Sequence, residues 1–371
     1  MNDPELLRNT QASHDQANVQ GHHTLSEILT QPAAWRAALE VIKSKQTALT
    51  ELWREERCSD ILVTGCGSTY YLSLIVAPLL QQLLGKRARA MPASELLLFP
   101  ATVVPPDGNP LLVTISRSGS TSETIRAVEA YRQHQSGKAL YIGCYADSVL
   151  AALSDLSLAV REGQEQSVAQ TRSFSTMLVA AQATATLLTN KEELHTLDVL
   201  PSYGERLIVT YHSLARQLGQ QPRFERFYFL GSGSRYGLAC EANLKMKEMS
   251  LSIAEAFHFM EFRHGPMSMV NERTLVIGLL SDTARAYELA VLREMRALGA
   301  QTLVLSEQAV TEQEADYQVC FESGLSESSR LVLYLPVLQL LSYYRAMLNG
   351  QNPDQPHNLT AVVTLEAERA S

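Results

Sequence analysis

The stretch ILVTGCGSTYYL at residues 61–72 decides the fold. An apolar run from Ile61 to Val63 has no charged residue, as in a strand buried on both faces. Gly65 and Gly67 then turn the chain, and YYLSLIVAPLLQQLLG reads as a helix closing on Gly85. The same strand, glycine turn and helix recur in FYFLGSGSRYGL at 227–238. PLLVTISRSG at 110–119 has its counterpart in TLVIGLLSDT at 274–283. Each is followed by a helical stretch, SETIRAVEAYRQHQ or ARAYELAVLREMRALG, and then by a further strand, ALYIGCYA or QTLVLSE. The offset is roughly 165 residues, too long for a solenoid repeat. Strands alternating with helices predict a parallel sheet with helices on both faces, and the recurrence predicts two such α/β domains.

Working outward, residues 1–23 read as a polar, flexible tail. TLSEILTQPAAWRAALEVIKSKQTALTELWREE reads as two helices broken near Gln31–Pro32, with Thr24 and Glu27 as a capping box. SFSTMLVAAQATATLLTN is a mostly apolar helix between the copies. The expected division is a first domain over 24–200, a second over 201–345 and a C-terminal tail over 346–371.

With 371 residues and 46% hydrophobic composition, the chain has material for two buried cores. A formal net charge of −8 and the lack of a basic run argue against nonspecific nucleic-acid binding. The five cysteines (Cys58, Cys66, Cys144, Cys240 and Cys320) are scattered without zinc-site pairing and read as reduced thiols. No apolar signal core opens the chain, and no apolar run reaches membrane-spanning length, so a cytoplasmic protein with no membrane partner is expected.

Two kinds of stretch carry chemistry. SRSGST (Ser116–Thr121) follows a buried strand and opens a helix, so its hydroxyls and backbone N–H groups can cradle a phosphate, with Arg117 adding charge. GCGST (Gly65–Thr69) is of the same type. Taken alone, either is equally a Ser/Gly turn with a helix cap. Neither has the Gly-Lys-Ser/Thr of a nucleotide loop or the full dinucleotide spacing. In EANLKMKEMS, Glu241, Lys245 and Glu248 share one helix face, which is either a solvated ion pair or a stripe overlooking a ligand. His264, in EFRHGP, sits on a loop because Gly265–Pro266 cannot continue a helix; it is a structural histidine or a proton carrier. His258 is expected to pack with Phe257 and Phe259, while His22, His23 and His134 are expected in solvent.

ISRSGSTSET, GSGSRYGLACEANLKMKEMS, AEAF, RHGP and NPDQPHNL occur in that order, and together they make the chain resemble the sugar isomerase (SIS) family over about residues 50–365. The resemblance is to proteins with two SIS domains, each a three-layer αβα, flavodoxin-like unit. It is nearest to the isomerase half of glucosamine-6-phosphate synthase and its stand-alone deaminase, deglycase and tagatose/galactosamine 6-phosphate relatives. It implies that Thr69, Ser116, Arg117, Ser118 and Thr121 hold a sugar phosphate and that Val168 and Gln170 border the sugar. It implies Glu248 as the base moving a proton between C1 and C2, with Glu241 and Lys245 binding hydroxyls and orienting it. His264 would assist ring opening from the partner subunit of a homodimer, and the C-terminal tail would lie over the active site. Such an isomerisation needs no metal or cofactor: one carboxylate above the enediol plane suffices, with donors for the developing oxyanion.

The chain departs from the synthases in two places. Where their tail carries an imine-forming lysine, HNLTAVV has Ala361, and no lysine follows Lys247. No nucleophilic cysteine follows Met1; Asn2 stands there. A substrate that brings its own amine needs neither group. The expectation is therefore an isomerase that also deaminates or deglycates an amino-sugar 6-phosphate. A plain aldose–ketose 6-phosphate isomerase and a non-catalytic phosphosugar sensor remain the alternatives.

Overall fold

The computed structural model describes residues 20–55, 60–104, 109–135 and 137–365. Most of the expected N-terminal tail, with Cys58 and the His134 side chain, lies outside the described residues.

Two long helices lead the chain, α1 (His22–Ser44) and α2 (Gln46–Glu55). The first sheet then forms from β1 (Asp60–Gly65), β2 (Arg87–Pro92), β3 (Leu111–Ser116), β4 (Ala139–Gly143) and β5 (Leu156–Ala159). Its helices are α3 (Ser68–Leu84) and α4 (Ser122–His134). Helix α5 (Arg172–Thr189) and helix α6 (Leu200–Gly219) lead into the second half. There β6 (Arg226–Gly231), β7 (Ile253–Phe257), β8 (Thr274–Leu279), β9 (Gln301–Ser306) and β10 (Tyr317–Cys320) form the second sheet. Its helices are α7 (Ser234–Ser250), α8 (Arg285–Ala297) and α9 (Leu335–Leu348).

The strand orders are β2-β1-β3-β4-β5 and β7-β6-β8-β9-β10, all parallel. The two halves therefore share one doubly wound topology. The order reverses between β1 and β3, and again between β6 and β8, which opens a crevice at the carboxyl edge of each sheet. The central strands β3 and β8 are buried at every residue, which is why they read as unbroken apolar runs.

One apolar core runs through both halves, from Ile61 and Val113 to Phe227 and Ile277. Helices α3 and α7, the first of each unit, pack directly on one another. Gly237 permits this: a Cβ there would lie 2.6 Å from Ile75 Cγ1 and 2.7 Å from the Tyr71 carbonyl oxygen. By composition, Leu331–Leu348 is long and apolar enough to cross a membrane, contrary to the sequence expectation, but 89% of it is buried within the protein.

Two local expectations are corrected. Helix α1 does not break at Pro32; it continues to Ser44. The carbonyl that Pro32 cannot bond, that of Ile28, instead accepts from Gln31 Nε2 at 2.8 Å. Thr24 and Glu27 do not form a capping box, because the helix has already begun at His22. Instead the Asp354 carboxylate accepts from the backbone N–H groups of His23 and Thr24 and from the Thr24 hydroxyl. The leading helix is thereby fastened to the C-terminal segment.

Candidate active site

Helix α7 starts at the glycine turn after β6 and ends at Ser250, and its inner face carries three ionisable side chains. Lys245 Nζ lies 2.5 Å from Glu248 Oε2, 3.4 Å from Glu241 Oε1 and 3.0 Å from Ser68 Oγ, to which it donates. Ser68 belongs to the turn after β1, so this ammonium joins the two domains. The stripe expected from spacing is therefore buried, and the solvated-pair reading does not apply: Glu241 and Lys245 are 2% and 1% exposed, while Glu248 is open enough to meet a ligand.

Burial pushes the Glu241 carboxyl up to about 8, against the pull of the Lys245 charge and with the Glu248 charge adding to the rise. Neither Glu241 oxygen has a hydrogen-bond partner. Burial opposes the Lys245 charge, but Glu241 and Glu248 outweigh it and raise its pKa. The arrangement favours a neutral Glu241 beside an ammonium at Lys245.

The Ser116–Thr121 turn, expected from sequence to be a phosphate cradle, lies between β3 and α4. Ser116 Oγ accepts from Gly119 N at 3.1 Å and Ser118 Oγ from Ser120 N at 3.2 Å, which leaves both hydroxyl protons available to a ligand. Gly119 takes the left-handed conformation (φ 63°) under the Ser148 side chain, where a Cβ would fall 2.1 Å from Ser148 Oγ. The turn after β1 touches the first turn of α4: Cys66 Sγ lies 3.3 Å from Thr124 Oγ1. Lys245, on α7, reaches Ser68 of the turn after β1. Thr121 stands at the N-cap position of α4, with no side-chain capping hydrogen bond. The Thr69 hydroxyl is engaged within its own turn, donating to the Cys66 carbonyl and accepting from Cys66 N, both at 2.9 Å.

The Arg117 side chain turns inward. It donates to the carbonyls of Ser167 (3.2 Å), Val168 (3.0 Å) and Ala361 (3.1 Å) and pairs with Glu165 at 3.4 Å. It therefore ties the cradle to the 165–171 loop and to the tail. Glu165 in turn accepts from the Thr171 N–H and hydroxyl and from Ser173. Glu27 of α1 holds the same loop, accepting from Gln166 N at 2.6 Å, Ser167 N at 3.3 Å and the Ser167 hydroxyl. Val168 N donates to the Asp354 carbonyl, and the buried Gln170 Oε1 has no partner. Over the cradle, the Val363 carbonyl accepts from Ser122 N at 3.4 Å.

His264 is exposed on the turn that follows a short helix, Phe259–Phe262, and its N–H donates to the Glu261 carbonyl at 3.0 Å. Within this single chain it makes no described hydrogen bond or ion pair to Glu241, Lys245 or Glu248. His258 does not pack as expected: its ring stacks on Tyr236, with centroids 3.9 Å apart. His22 and His23 are half-buried, not solvated. Sequence reasoning missed Ser68, Glu27 and Glu165. Ser68 stands beside Thr69 in a turn already singled out, so that signal was available. Glu27 was read only as half of a capping box, and Glu165 gave no signal.

Comparison with known proteins gives a consistent result. The SIS domain model matches residues 56–187 and 223–344. The glutamine–fructose-6-phosphate aminotransferase (isomerizing) of Idiomarina loihiensis is 30% identical over 364 residues, covering 93% of this chain. The chain spans 59% of that relative's length. Among solved structures, the glucosamine-6-phosphate deaminase of Thermotoga maritima superposes with a TM-score of 0.73 at 26% identity, over 92% of this chain and all of that one. The tagatose-6-phosphate ketose/aldose isomerase of Escherichia coli shares the fold, with a TM-score of 0.84 at 24% identity over 94% of this chain and 98% of its own.

Proposed function

Since the chain belongs to the SIS domain family, we propose that it is an enzyme interconverting aldose and ketose 6-phosphates, with loss of an amine from an amino-sugar 6-phosphate. The observation that carries this reading is the Glu248 carboxyl group, 2.5 Å from the buried Lys245 Nζ, which itself bonds Ser68 of the turn after β1. The phosphate binds at Ser116, Ser118 and the start of α4, far from the reacting carbons, and its binding orients them. Glu248 moves the proton between C1 and C2. Neutral Glu241 donates to a sugar hydroxyl, and Lys245 steadies the negative charge developing on oxygen. His264 of a partner subunit assists ring opening in a homodimer. Deamination or deglycation is favoured because Ala361 stands where an imine-forming lysine would act, so the nitrogen comes with the substrate.

The test is turnover of hexosamine 6-phosphates and fructosamine 6-phosphates, read as free amine plus sugar 6-phosphate. Glu248→Gln is expected to lower kcat by at least about 1,000-fold while phosphosugar binding persists. Unchanged turnover in that variant removes Glu248 from the base role. Ketose formation without amine release assigns plain isomerisation. Binding without exchange of the C1 or C2 proton with solvent assigns a sensor.

A further inference from the structure

The second domain repeats the first through its topology, so it too has a turn between its switch-point strand and the next helix, at Ser281–Ala284 before α8. This second cradle is already filled. The backbone N–H groups of Asp282 and Thr283 both donate to Glu327 Oε1, the second at 3.1 Å. Glu327 Oε2 lies 3.6 Å from Arg235 Nη2. Arg235 stands on α7 where the matching turn of the first domain has Thr69; it is 7% exposed, and its Nε has no hydrogen-bond partner.

The source of the plug is equally telling. Glu327 lies in the loop between β10 and α9, the counterpart of the β5–α5 loop that carries Val168 and Gln170. In the first domain that loop is held back by Glu27 and Arg117. In the second it drops a carboxylate into the turn. The remaining acids nearby have partners of their own. Glu288 Oε2 accepts from Ser281 N at 2.6 Å and from its hydroxyl at 3.0 Å, and Asp282 pairs with the buried Arg330 at 2.6 Å. A surface cavity of about 530 Å³ lies beside the turn, lined by Asp282, Glu307, Glu322, Gly324 and Arg330 among others.

We propose that the second domain contains a closed oxyanion site, in which Glu327 is the internal ligand, Arg235 its buried counter-ion and the N–H groups of Asp282 and Thr283 its donors. Two successive N–H groups of the turn before a helix and a guanidinium form the donor set that a phosphate or phosphomonoester takes. A carboxylate presents two oxygens in nearly the same way. In the natural chain the plug pins the 321–330 loop and leaves one phosphosugar site per chain. With the carboxylate removed, the donors lose their anion, and a phosphate from solution replaces it.

The experiment is equilibrium dialysis of the full chain against radiolabelled inorganic phosphate. Glu327→Ala is expected to bind one more phosphate per chain than wild type, and Arg235→Met added to Glu327→Ala is expected to abolish the increment. A Glu327→Ala protein of wild-type helix content with no added site overturns the proposal. If that variant folds only in phosphate, the dependence supports it. If it folds under neither condition, the milder Glu327→Gln decides by the same count. The wild-type count reads the first cradle and so tests the proposed function. The increment reads the plug, and either can fail without the other.

Discussion

Replacing Glu241 by Gln tests the electrostatics on which the proposed chemistry rests. Burial raises this carboxyl from 4.5, its ordinary value, to about 8. Between those two values the unfolded chain is ionised at this position while the folded chain holds its proton. The folded state then binds more protons, so stability falls as pH rises through the window and levels off above the folded value. A span of about three and a half pH units at 1.36 kcal/mol each sets an upper limit of about 5 kcal/mol. The amide is nearly isosteric with the protonated acid and cannot ionise. Below about pH 5 the two proteins are therefore expected to agree within about 1 kcal/mol. Near pH 8.5 Glu241→Gln is expected to be more stable by about 2–5 kcal/mol. Urea unfolding followed by circular dichroism at several pH values measures the difference. A difference that stays flat from about pH 5 to 8.5 would mean that Glu241 is ionised throughout. Lys245 would then serve two carboxylates, and Glu241 could not donate to a sugar hydroxyl.

Two further substitutions probe what positions the site. Glu27→Ala strips the acceptor from Gln166 N, Ser167 N and the Ser167 hydroxyl. It is expected to cost about 2–4 kcal/mol and to raise KM for the phosphosugar more than it lowers kcat, read by thermal unfolding and steady-state kinetics. A variant with wild-type KM would detach the 165–168 loop from substrate binding. Gly237→Val drives a side chain into Ile75 and the Tyr71 backbone, where even a Cβ has only 2.6–2.7 Å. The expected loss is at least about 3 kcal/mol, and a melting temperature equal to wild type would contradict the close approach of α3 and α7.

The regular elements were legible because their causes are local. Unbroken apolar runs at β1, β3, β6 and β8, glycine turns after β1 and β6, and helical periodicity in α3, α4 and α8 each lie within a single window of the sequence. Recurrence at a constant offset revealed the duplication. The Glu241–Lys245–Glu248 stripe was visible as spacing on one helix, although nothing in the spacing said whether water or protein covered it.

The misreadings share one cause. Pro32 looks like a helix break until Gln31 is seen to bond the orphaned Ile28 carbonyl. Thr24 and Glu27 look like a cap until their partners, Asp354 and Ser167, arrive from far along the chain. The contacts of the Arg117 guanidinium with Glu165, Val168 and Ala361 are likewise invisible in its motif. Glu327 belongs to no motif.

The residues in order were enough to establish two α/β units, their glycine turns and the helix that carries Glu241, Lys245 and Glu248. Each of those follows from backbone preference and hydrophobic period over a dozen or so neighbours. Which polar groups are buried and what they pair with emerged only on packing. Hydrogen bonds and ion pairs between distant segments leave no period in the chain, and their worth depends on the water that packing removes.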